Sequence, residues 1–472
     1  MFSNRIVPLI VAVSLFMENM DSTIIATALP SIAADIGTNP LALKLAITSY
    51  LLALAIFIPA SGWFADRFGP RNVFCCAIAV FMVGSIGCAI SNSLGSFVVA
   101  RFVQGIGGAM MSPIGRLVLL RTFDKRQIVV AMTWVSIPAL VGPVLGPPVG
   151  GFITTYFSWH WIFFINIPMG FLGITLAMRF IPKLGTDERV RFDFIGFILC
   201  GLGIGGLAFG LTAIGVSYLP VSAVGAMIAV GAASTFGYIF HARRTPNPLL
   251  DLSLFSLPTF RNSVIGGFIF RIGVGATPFL LPLMLQLGFG MTPFHSGLIT
   301  FSTALGAMSM KAVIPIILRR YGFKSTLIVN AIISSAMIAA CAAFTPATPA
   351  AIIMAVLIVG GFFRSLEFTC INTISYADID HRRMSRATSI AAVGQQLSIS
   401  TGVAIGAVAV ELMVRHNGSG EITAGDFPPA FLFVAVISTL SVIFFMRLAP
   451  NAGEELANRT PGPTEAADQR IG

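Results

Sequence analysis

Glu18 and Asp21 stand three residues apart in FMENMDSTIIATALP, Phe16 to Pro30, inside an apolar run that begins at Ile6. Arg101, Arg271, Lys311, Arg364 and Glu367 fall within later apolar runs, and Gln104 follows Arg101 by three residues. Side chains of these types hold protons, cations or anions. Catalysis is not indicated: no nucleophile elbow, no H-E-x-x-H and no dinucleotide glycine pattern accompanies them, and the GIGG stretch lies inside an apolar run. No G-x-x-x-x-G-K-[ST] sequence is present to cradle the phosphates of a nucleotide. The chemistry to expect is ion carriage, in a protein that is not an enzyme and has no cofactor or metal.

The elements that position these groups follow from composition. Of 472 residues, 56% are hydrophobic and only 10% charged, with mean hydropathy +0.89, whereas soluble domains carry about 25% charged residues. Such a chain cannot cover itself with polar surface, so its solvent is lipid. About 14 apolar runs are each long enough to cross a hydrocarbon core of roughly 30 Å as a helix. They are residues 6–29, 45–65, 73–91, 97–118, 129–153, 160–181, 194–213, 219–240, 262–287, 294–318, 325–344, 350–372, 388–410 and 428–447. The fold class is therefore all-α, polytopic and membrane-embedded.

Charge orients the bundle, because cytoplasmic loops retain Lys and Arg. With the N-terminus inside, 23 of the 29 Lys and Arg lie in cytoplasmic loops and ends, two outside (Lys44, Arg415) and four within spans (Arg101, Arg271, Lys311, Arg364). The net charge of +10 is mostly this topogenic signal, so nucleic acid is not an expected partner. Both termini are expected in the cytoplasm. A cleaved signal peptide does not fit a run with two acids at its centre. The six cysteines fall in spans or at cytoplasmic ends without metal spacing, as small apolar residues do.

Three local patterns are more specific. GWFADRFGPRNV joins spans two and three, with Gly62 placed for close helix approach, Asp66 for capping or pairing, Gly69 for a turn, and Arg67 and Arg71 for holding the loop inside. A weaker copy, LRRYGFKSTL, follows span ten. VGPVLGPPVGG in span five sets Gly142, Gly146, Pro147, Gly150 and Gly151 where small residues form a packing groove and prolines bend the helix.

The first loop resembles the signature of the major facilitator superfamily, G-x-x-x-D-R-x-G-x-[RK], and the span-five pattern resembles that of its antiporters. With D-x-T-I-I-x-T-A-L-P from Asp21, RFVQGIGGAMMSP, SWHWIFFINIPMG and RFDFIGF, the chain resembles the 14-span drug:proton antiporters of the EmrB/QacA type up to about Leu448. The segment from Arg271 to Leu298 and Met308 to Lys311 is similar to the MdtD-like branch. The resemblance implies a 6 + 2 + 6 architecture: a six-helix bundle over 1–182, two inserted helices with their connections over 183–260, and a second bundle over 261–448; the tail over 449–472, with its Pro, Glu, Asp and Thr, reads as a disordered cytoplasmic end. It also implies a bacterial inner-membrane location, a proton gradient as the energy source, a small-molecule substrate, and a monomer.

Placed on these spans, Asp21 lies about 12 Å below the outer end of span one and Arg101 about 6–9 Å below that of span four, close enough to meet. The resemblance ties this pair to substrate and proton coupling, and Gln104 lies beside Arg101. Glu18 has two readings, a second proton or cation site or a neutralised carboxylate, and would share one wet helix face with Asp21. In the second half, Arg364 and Glu367 are spaced to pair with one another, and Lys311 either snorkels inward or faces a cavity. Arg271 has neither escape. Two functions stay open: proton-coupled efflux of amphipathic cations recognised by Glu18 and Asp21, or transport of an anionic metabolite or chelate, such as a tricarboxylate or siderophore, clamped by Arg271 and Lys311.

Overall fold

The computed structural model describes residues 3–122, 125–182, 192–214, 220–311, 313–380, 383–418 and 421–454. Among them every predicted run is helical and no strand occurs. In chain order the helices are α1 (Ser3–Asp35), α2 (Pro40–Phe68), α3 (Pro70–Ala89), α4 (Leu94–Thr122), α5 (Lys125–Tyr156), α6 (Trp161–Phe180) and α7 (Phe194–Thr212). They continue as α8 (Val221–Ala242), α9 (Pro258–Leu283), α10 (Pro293–Met310), α11 (Ile314–Ala340), α12 (Ala350–Ile374), α13 (Met384–Asn417) and α14 (Ala424–Met446). Among the described residues twelve helices are long and apolar enough to cross a membrane; α5 and α10 are the two runs outside that group. The expected tail falls, beyond Glu454, outside the described residues.

Local chemistry sets the helix ends. Proline opens α2, α3, α9 and α10, where its missing N–H is harmless, and Asn39, Asp193 and Thr292 cap backbone N–H groups with their side chains. Gly69 turns the chain between α2 and α3 at φ 83°, and Gly322 does the same at φ 69°, a region costly for any residue with a Cβ. Gly322 lies inside α11, so that helix is two: residues 314–321 form the tail of the tenth span after a break at Lys311, and residues 323–340 form the eleventh. The same sequence of events occurs in α2, which breaks at Ile58–Ala60 and resumes over Ser61–Phe68 before Gly69. The weaker loop copy read from sequence is thus a structural copy.

In the first half α1 packs on α5, and α4 on α2 and α3; in the second α9 packs on α13, and α12 on α10 and α11. Helices α7 and α8 pair with each other, and α7 leans on α2 and α13. Only 22% of each of their most apolar windows is buried, against 78% in α2, so the inserted pair is peripheral and needs lipid around it. Its start is fastened by Asp193, which accepts from Gly196 N (2.9 Å) and Leu249 N (3.2 Å) and bonds His241 Nε2 (2.7 Å). His241 is therefore a half-buried tie. The connection into α9 contains a short 3-10 helix, Leu252–Ser256.

The two halves close on one another at the end of the bundle farthest from the start of α1, here the distal end. Gln286 Nε2 donates to the Thr27 carbonyl (2.9 Å), Phe294 N to Thr155 Oγ1 (3.0 Å), and Lys44 Nζ lies 3.7 Å from Glu411.

Candidate functional site

Between the halves lies a cavity of about 480 Å³, capped by those distal contacts and extending in the other direction to the exposed Lys311. Its wall is mostly apolar, including Leu54, Phe279, Met308 and Ile399, with Asn19, Gln395 and Gln396 adding amides. Three acidic or basic side chains among the described residues face it: Glu18 from α1, Lys311 after α10, and Arg364 from α12. Glu18 is half-buried, and its Oε2 accepts from Ser112 Oγ of α4 at 2.8 Å. Among the described residues Lys311 and Arg364 have no acidic partner within ion-pair distance.

Asp21 faces elsewhere, which corrects the expectation of one wet face shared with Glu18. Three residues advance a helix by about 300°, leaving the two side chains about 60° apart, and the cavity wall passes between them. Asp21 is 1% exposed and receives three donors: Arg101 Nη1 (2.8 Å), Gln104 Nε2 (2.9 Å) and Asn166 Nδ2 (2.8 Å). Gln104 Oε1 in turn accepts from Arg101 Nη1 (2.6 Å), and Ser85 Oγ accepts from both Gln104 (3.3 Å) and Asn166 (2.9 Å). Convergent donors of this kind suit an ionised carboxylate. Tyr50 separates the cluster from the cavity: it lines the cavity, and the Arg101 guanidinium carbon sits 4.3 Å from its ring centroid. Depth and charge bring Asp21, Arg101 and Gln104 within reach of each other in sequence; Tyr50, Ser85 and Asn166 give no such signal, although Asn166 lies in the quoted SWHWIFFINIPMG.

In the second half the expected arrangement is corrected twice. Arg364 and Glu367 do not pair: Arg364 lines the cavity, while Glu367 is fully buried and its Oε2 accepts from Asn330 Nδ2 of α11 at 2.6 Å. Arg271 is 4% exposed, donates to Asn372 Oδ1 (2.7 Å) and lies 5.0 Å from the Phe368 ring centroid, outside the cavity lining. An anion entering the cavity meets Lys311 and Arg364, not Arg271.

The two glycine patterns also find their places. A Cβ at Gly142 would stand 2.9 Å from the Phe16 carbonyl oxygen, one at Gly150 2.6 Å from that of Ile24, and one at Gly146 would collide with Thr23. These glycines, with Pro147 on the cavity wall, let α5 lie directly on the α1 backbone that carries Glu18 and Asp21. Gly151 packs against the Pro293–Phe294 backbone of α10, across the halves. Gly62, by contrast, is exposed with open space around it, so close approach is not its use here. Arg71 donates to the Met178 (3.4 Å) and Ile181 (3.3 Å) carbonyls at the end of α6, holding the loop to the first half, while Asp66 is half-buried and Arg67 exposed.

Two helical halves around a one-ended cavity, with charged groups lining it and buried behind it, define a multi-pass membrane transporter. The Major Facilitator Superfamily profile matches residues 11–403 and 263–469. The chain is 37% identical over 445 residues to the Cronobacter sakazakii protein MdtD, covering 93% of each, and 38% identical over 444 residues to that of Pectobacterium atrosepticum, covering 94% of this chain and 95% of that one. Both relatives carry names that assign them to multidrug resistance. Solved structures share the fold: a POT family peptide transporter (TM-score 0.68, 13% identity, 93% of this chain and 96% of that one) and the D-xylose-proton symporter (TM-score 0.65, 15% identity, 93% and 96%). This chain belongs to the Major Facilitator Superfamily and is MdtD-like; it is a transporter and not an enzyme.

Proposed function

We propose that the protein is a proton-coupled antiporter of the bacterial inner membrane, with cytoplasmic termini, that exports amphipathic, cationic compounds. One observation carries this reading: a buried Asp21–Arg101 pair at 2.8 Å lies directly behind Tyr50 on the wall of the substrate-sized cavity. In this reading the distal end is the outer one, and the cavity opens inward. A cation enters among apolar side chains and meets the Glu18 carboxylate, while Asp21 is held by its three donors. As the halves reorient, a shift of α4 against α1 within the first half draws Arg101 away from Asp21, and a carboxylate deprived of its cation in a low-dielectric setting takes up a proton from the outer side. Return restores Arg101 and expels that proton inward. The interlocked α1, α5 and α10 backbones form the hinge seam of this motion.

A second reading rests on its own observation. Lys311 and Arg364, both on the cavity wall, could clamp a carboxylate-bearing substrate such as a tricarboxylate. Transport by reconstituted vesicles, with a cationic dye and a tricarboxylate offered side by side, distinguishes them. Dye flux lost in Glu18→Gln and kept in Lys311→Ala/Arg364→Ala supports the cation; tricarboxylate flux lost only in the double variant supports the anion.

A further inference from the structure

Glu367 is a buried carboxyl for which the mechanism above has no use. Its Oε2 accepts from Asn330, but Oε1 has no hydrogen-bond partner among the described residues. Few charges surround it. Helix α9 brings Arg271, already engaged with Asn372 and Phe368; α12 itself brings Arg364, which faces the cavity, and Cys370; α10 leads to Lys311, also at the cavity; α11 meets it with neutral Asn330. No cation lies within ion-pair distance of it among the described residues. An ionised carboxylate with one amide donor inside a lipid-spanning bundle is costly, whereas a neutral carboxyl fits there.

A second observation brings the transport cavity to within a helical turn of this group's partner, Asn330. A small cavity of about 30 Å³, room for one or two waters, shares Thr277, Thr303 and Arg364 with the central one and reaches Ser334 on α11. Ser334 is buried with an unpartnered hydroxyl, and Asn330 lies one helical turn before it, its Oδ1 likewise unpartnered. The small cavity thus reaches Ser334, one helical turn from the Asn330 amide that holds Glu367 Oε2.

We propose that Glu367 is a second transported-proton site, so that the C-terminal half carries a proton of its own. This rests on the proton-coupled reading above. With the central cavity facing outward, the carboxylate takes up a proton relayed from the outer solvent by way of the small cavity and the Asn330–Ser334 turn, and with it facing inward releases the proton to the inner solvent by the same route. Arg364, one turn earlier on the same helix, sets the occupancy: turned to the cavity, as here, it leaves Glu367 neutral, and turned back against the carboxyl it favours the ionised form and releases the proton.

The test is the proton-to-substrate ratio, measured from reversal potentials in vesicles with a cationic dye. Glu367→Gln, a permanent mimic of the protonated group, is expected to exchange dye normally with a ratio lower by one, and Glu367→Asp to restore the wild-type ratio. A wild-type ratio in Glu367→Gln overturns the proposal, while a wild type that transports dye with no proton movement overturns the coupled reading itself. Should Glu367→Gln not fold, infrared spectroscopy of wild-type protein carrying isotope-labelled glutamate serves instead. It should show a protonated, slowly exchanging glutamate carboxyl at neutral pH, and its absence contradicts the assignment.

Discussion

A charge that lipid would reject persists in a span only if protein replaces the water it lost, and Asp21 shows how completely that is done, with Arg101, Gln104 and Asn166 all donating to it. Asp21→Asn leaves the Arg101 guanidinium buried without its counter-ion, so it should cost about 3 kcal/mol or more of stability. Asn166→Ala, which removes one donor of three, should cost about 1–2 kcal/mol. Thermal unfolding in detergent compares the two, and equal losses would mean that the pair is not the centre of the cluster. The Tyr50 hydroxyl has no partner among the described residues, so Tyr50→Phe should be neutral within about 1 kcal/mol. Tyr50→Ala should open the cavity onto Arg101 and make vesicles leak protons without substrate. The meeting of Asp21 with Arg101 is legible in the sequence, because an ion at membrane depth demands a partner and depth can be counted along a helix. The neutral members of the cluster are not legible: Tyr50, Ser85 and Asn166 cost little to bury and so raise no question. Nor does spacing reveal that Glu18 and Asp21 part company at the cavity wall, since that boundary belongs to neighbouring helices.

At the scale of elements, the α1–α5–α10 seam works because glycine lets backbone meet backbone. Gly146→Ala and Gly151→Ala should each destabilise by about 1–3 kcal/mol through overpacking and slow dye exchange more than they weaken dye binding. Gly225→Ala, in α8 with nothing near its absent Cβ, is the neutral control. The connection into the second half depends on charge instead. Asp251 caps Leu252–Ser256 and lies 3.2 Å from Arg386 and 3.6 Å from Arg383. Burial alone would push its carboxyl up, but hydrogen bonds from Ser253 and Arg386 outweigh that and hold it below its ordinary value of 3.8. A depressed folded value means the anchor is fully present above that ordinary value and is lost as pH falls through the folded one. Hydrogen-exchange protection at residues 252–257, taken relative to the intrinsic rate at each pH, should therefore fall in acid for the wild type and be low in Asp251→Asn at every pH. Equal protection in the two would remove the anchor. The existence and order of the helices are legible from hydropathy, and the loop copy at Gly322 from its motif. The break at Lys311 is not, because the apolar run continues through it to Leu318.

For the whole molecule, the distal contacts bias the halves toward the state seen here. Gln286→Leu and Glu411→Ala each remove a contact of about 1 kcal/mol, enough to shift a two-state equilibrium about fivefold. Spin labels on the loops after α1 and α9 should then report longer distances in the double variant, and an unchanged distribution would deny these contacts any part in closure. Whole-molecule shape is the level least legible in sequence, since cross-half contacts join Thr27 to Gln286 and Lys44 to Glu411, residues separated by hundreds of positions and no pattern. The central claim is that Asp21 links proton movement to the direction in which the cavity opens. Its most direct measurement is dye accumulation by vesicles under one imposed pH difference, wild type against Asp21→Asn, with gradient-free dye exchange recorded in parallel. The account predicts that the variant still exchanges dye but accumulates none; accumulation at the wild-type level would contradict it.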